Sequence, residues 1–76
     1  MADYYPLLAR VVSELAKNTA EARRGIYESV RAGLLNQMRK RDPPLAASEV
    51  TLERLALEEA IRKVEAEQLA RWARKG

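Results

Sequence analysis

The sequence predicts an all-α fold of three helices in one small domain. Two observations carry this. Apolar residues recur at three- and four-residue intervals along most of the 76-residue chain, and only 3 Gly and 3 Pro are present to interrupt them. Two clusters of stop and start residues, Asn18-Thr19 and Asp42-Pro43-Pro44, divide the periodic stretches into three.

The first helix is expected over about residues 4–17. Asp3 is a good N-cap, and Pro6 falls in the first turn, where its missing N–H costs little. Leu8, Val11 and Leu15 recur at helical spacing, with Tyr4 on the same side. Asn18 suits the left-handed conformation that ends many helices, and Thr19 can cap the next one. That second helix spans about 20–41. Ile26, Val30, Leu34 and Met38 are spaced by four and form an apolar stripe with Tyr27. Gly33 lies beside the stripe, which points to close approach by a neighbouring helix. Asp42-Pro43-Pro44 ends the helix, because a residue before proline is pushed out of the α region.

Ser48-Glu49 opens the third helix, expected over about 49–74. Val50, Leu57, Ile61, Val64, Gln68 and Trp72 make a near-heptad seam along it. Glu58 with Arg62, Glu59 with Lys63 and Glu67 with Arg71 are i,i+4 pairs in the favourable order. Leu8, Val11, Leu15, Ile26, Val30, Leu34, Leu57, Ile61 and Val64 are the expected core.

Leu52 and Leu55 break this pattern. At 100° per residue they point away from the seam, and Leu35 likewise sits opposite the stripe of the second helix. The chain is also short of core volume, since 13 of its 36 apolar residues are Ala, and a 76-residue chain is marginal alone. Together these features predict a helical bundle, or a hairpin plus a short helix, associating as a homodimer. Leu35, Leu52, Leu55 and Trp72 are the expected interface, with a second copy or another helical protein as the partner.

Composition narrows the chemistry. With 0 Cys and 0 His there is no disulfide, thiol nucleophile, imidazole base or zinc finger. No phosphate-binding glycine loop or Ca²⁺ loop spacing occurs. The carboxylates Glu58, Glu59, Glu65 and Glu67 sit among Lys and Arg, as on a solvated helix surface. A non-enzyme without cofactor or metal is therefore expected. No apolar run is long enough to cross a bilayer and no signal peptide is apparent, which favours the cytoplasm.

The net charge is +3, with 14 Lys+Arg against 11 Asp+Glu. The excess is concentrated on the second helix, so a second reading makes the chain a small nucleic-acid-binding protein. Arg24, Arg31, Arg39, Lys40 and Arg41 would then be the phosphate contacts. The helix macrodipole alone also favours Arg39-Lys40-Arg41 at a C-terminus.

Several strings form a set: Asp3-Tyr4-Tyr5-Pro6-Leu7, then Asn18-Thr19 with Glu21, Arg23, Arg24 and Tyr27, then Leu55-Ala56-Leu57-Glu58-Glu59-Ala60-Ile61. Together they resemble an N-terminal helical segment of larger alphaproteobacterial proteins, a likeness that covers nearly the whole chain. The resemblance implies a bacterial interaction or oligomerisation module and assigns a role to no single residue.

Overall fold

A computed structural model describes residues 3–75 and contains α1 (Tyr5–Ser13), α2 (Ala20–Arg39) and α3 (Ala47–Lys75). The helix starts follow from local chemistry. Asp3 Oδ1 accepts from the Tyr5 amide at 3.1 Å, one residue short of a true N-cap, while Pro6 occupies the first turn of α1. Thr19 Oγ1 accepts from the Ala22 amide at 3.1 Å and caps α2. For α3 the Glu49 carboxylate reaches back to the Ala46 amide at 3.1 Å, the acidic half of a capping box. The helix therefore begins two residues before the expected 49.

α1 ends four residues before the expected 17. The Glu14 amide is shared between the Arg10 and Val11 carbonyls, and Leu15 bonds only three residues back, so the last turn tightens and closes. Asn18 does not stop the helix by a left-handed conformation, since no described non-glycine residue has positive φ. Instead its side chain donates to Gln68 Oε1 and accepts from Arg23 Nη1, both at 2.7 Å, which pins the α1–α2 connection to α3.

α3 is the spine. α1 runs alongside it in the same direction, α2 runs antiparallel to it, and α1 and α2 scarcely touch each other. The core is one cluster of Leu8, Val12, Tyr27, Leu57, Ala60, Ile61 and Val64. Leu57, Ile61 and Val64 are buried as the seam requires. On α1 the buried pair is Leu8 and Val12, not Leu8 with Val11 and Leu15. Leu15 lies past the helix end, and Tyr4, whose hydroxyl donates to Glu53, selects the four-residue row Tyr4-Leu8-Val12. On α2 Tyr27 is buried, while Ile26, Val30 and Leu34 border the core half-covered.

Past Val64, no residue of α3 whose side chain is described is buried, and Gln68 is among the last to be even partly covered. The molecule measures 50 × 19 × 16 Å.

Candidate interaction face on the long helix

Two ion pairs and a tyrosine fix which way α3 faces. Arg31 grips Glu58 with two parallel hydrogen bonds, 2.7 and 2.8 Å. Arg23 Nε meets Glu65 at 2.7 Å, and the Tyr27 hydroxyl donates to the same carboxylate. The hydrogen bonds from Arg31 hold the Glu58 carboxyl below its usual range. Burial alone would raise Glu65, but the bonds from Arg23 and Tyr27 outweigh it and lower that carboxyl too. On the other flank the Tyr5 hydroxyl donates to Glu67, and the Lys63 ammonium lies 4.2 Å from the Tyr5 ring centroid.

These contacts displace the expected i,i+4 pairs within α3. Glu58 turns to Arg31 in place of Arg62, Glu67 to Tyr5 in place of Arg71, and Lys63 to the Tyr5 ring in place of Glu59. Cross-helix partners win because they join groups that packing already holds in place. Glu59 instead sits 3.7 Å from Arg62 on the exposed side.

With both flanks held, the remaining face of α3 turns outward. Leu52 and Leu55 are 51% and 54% exposed, and Leu69 is 67% exposed. Trp72 is 74% exposed, so the seam that was expected to continue through it loses its partner beyond Gln68. The four expected interface residues do not converge. Leu52 and Leu55 are neighbours beside a shallow groove between Asp3 and Tyr5 on one side and Ala56 and Lys63 on the other. Trp72 stands about 30 Å along α3 from Leu52 at 1.5 Å per residue, beside a second groove near Asn18 and Arg23. Leu35 is half-buried on α2.

Leu69 is the residue that sequence reasoning missed. Its signal is in the helical spacing, which puts it on the same outer side as Leu55, beyond the last buried residue of the seam.

Among the basic residues, Arg31 is engaged by Glu58, whereas Arg24, Arg39, Lys40 and Arg41 are exposed. Arg24 stands apart from the cluster at the end of α2. Gly33 is exposed, and a Cβ there would meet nothing within 4 Å, so no helix approaches it. Among the described residues no three His, Cys, Asp or Glu side chains form a group able to hold a metal, and no helix is long and apolar enough to cross a membrane. No family model matches the chain, and neither a curated protein nor a solved structure matches it.

Proposed function

We propose that this chain is a non-catalytic helical interaction module that brings protein chains together through the outer face of α3, in a scaffolding or regulatory role. The observation that carries this is the placement of Leu52, Leu55 and Leu69 on the side of α3 that α1 and α2 leave uncovered, each at least half exposed. Single exposed leucines are ordinary on a protein surface. Three on one face of a helix that serves as the spine are not explained by the fold of the monomer.

Surface area supports the same reading. The accessible surface is 5938 Å², whereas a compact monomer of this mass exposes about 4,700 Å². The excess is about 1,200 Å², more than the roughly 800 Å² that each partner contributes to a standard interface.

Light scattering over a hundredfold concentration range tests the proposal. The expected species has twice the 8.6 kDa chain mass. Leu52→Asp with Leu55→Asp is expected to abolish association while circular dichroism shows the helicity retained. A wild-type chain that stays monomeric throughout, or a double variant that still associates, overturns this assignment of the face.

Nucleic-acid binding through α2 is the second reading, favoured by the exposure of Arg39, Lys40 and Arg41 together. It requires affinity that falls steeply with salt. It is eliminated if DNA and RNA are not retarded at ~50 mM salt, where non-specific binding is strong.

A further inference from the structure

The outer face of α3 carries a second heptad register, distinct from the core seam. Leu52, Leu55, Glu59, Arg62, Ala66, Leu69 and Ala73 follow one another at alternating three- and four-residue steps, and all are exposed. This is the a/d spacing of a two-stranded coiled coil. The seam is apolar at both ends and charged in the middle, where Glu59 and Arg62 sit 3.7 Å apart with side chains 72% and 68% exposed.

Charge selects the occupant and its direction. In a parallel pair each layer stacks a residue on its own copy, so Glu59 meets Glu59 and Arg62 meets Arg62. In an antiparallel pair, a positions face d positions. Aligning Glu59 with the second copy's Arg62 then fixes the other layers, with Ala73 falling opposite Ser48 at the ends. Leu52 meets Leu69, Leu55 meets Ala66, and two symmetry-related Glu59–Arg62 layers form the centre. Large residues face large or small ones and opposite charges face each other throughout.

The flanks agree with this. Glu58 and Glu65, which border the seam, are already neutralised by Arg31 and Arg23 of their own chain. Tyr5 of α1 borders the seam beside Leu52 and Leu55, and Arg23 of α2 borders it beside Leu69, but neither helix covers it, which leaves room for the second copy. The partner's Leu69 would enter beside the shallow groove at Leu52, Leu55 and Asp3.

We propose that a second copy of this chain docks antiparallel on α3, with Glu59 of each copy paired to Arg62 of the other. This rests on the interaction-module reading and goes beyond it in partner, direction and register.

Thiol cross-linking in the cysteine-free chain tests the geometry. Chains bearing Leu52→Cys are mixed with chains bearing Leu69→Cys and treated with a short bismaleimide. The mixture is expected to yield a covalent dimer, and either variant alone is not. In the proposed pairing, like positions lie about 25 Å apart along the axis. Cross-linking of each variant alone would establish a parallel pair and overturn the proposal.

A charge exchange supplies the second readout. Glu59→Arg alone is expected to weaken association about tenfold or more, because like charges then meet at both central layers. Adding Arg62→Glu is expected to restore it. A wild-type dimer that neither cross-links in the mixture nor responds to the exchange overturns the antiparallel register while leaving the module reading standing. A wild-type monomer at every concentration overturns both.

Discussion

At the scale of single residues, α1 distinguishes two rows of side chains that the sequence makes nearly equivalent. Val11 and Val12 are adjacent and chemically identical, yet Val12 is 1% exposed while Val11 is only half-covered. Removing two methyl groups from the packed position leaves a cavity in the core cluster, which α1, fixed on α3 by Leu8, Tyr4 and Tyr5, cannot shift to close. Val12→Ala is therefore expected to cost roughly 1–3 kcal/mol of stability, and Val11→Ala less than half of that. Urea denaturation of the two variants measures the difference, and equal losses would place the buried row of α1 elsewhere.

At the scale of elements, α2 buries few side chains against α3, and polar side chains fix its register. Only Tyr27 and Met38 of its residues are buried, and the Arg23–Glu65 and Arg31–Glu58 pairs set its register. A helix so exposed is sensitive to intrinsic propensity. Gly33 sits in its interior with open space where a Cβ would go. Gly33→Ala is expected to stabilise the protein by about 1 kcal/mol, visible as a higher urea midpoint with an unchanged slope. A loss of stability would instead reveal a neighbour packed on that face.

The three helices and the α3 core residues were legible because periodicity reports which side of a helix is apolar. What was not legible depends on tertiary choice. Leu15 and Val11 have the right spacing for a longer α1, but the chain must turn at Glu14 to send α2 back along α3. Glu58 and Glu67 have local partners in the sequence, but Arg31 and Tyr5 reach them from other helices. Leu52 and Leu55 stand out because they oppose the core seam. Leu69 does not, because the neighbouring Gln68 and Trp72 continue the spacing of that seam to the end of α3.

At the scale of the whole molecule, the fold is extended and its polar clasps are few. The radius of gyration is 14.1 Å, against about 11.4 Å for a compact chain of this length. The titratable groups that join the helices lie at its half-exposed flanks, so their contribution to stability is modest and screened by salt. Glu58 and Glu65 have carboxyls held below their ordinary range. Their contribution is complete above the unfolded value near 4.3 and is lost as pH falls through the folded values, so the loss lies below about pH 4. Tyr4 is pushed up to about 12, by burial first and then by its bond to Glu53, and Tyr27 is raised in the same way by burial and Glu65. A raised tyrosine stabilises fully below the unfolded value near 10, and that contribution is lost as pH climbs through the folded value. With 0 His and 0 Cys, no side chain of ordinary pKa titrates between these limits. The urea midpoint is thus expected to be flat from about pH 5 to 9 and to fall on both sides. Glu58→Gln with Glu65→Gln is expected to shrink the acid limb and to weaken the alkaline limb only by the part of the Tyr27 shift that Glu65 supplies, since Tyr4 bonds to Glu53. An acid limb unchanged in that variant would mean that the α2–α3 ion pairs are not what low pH breaks.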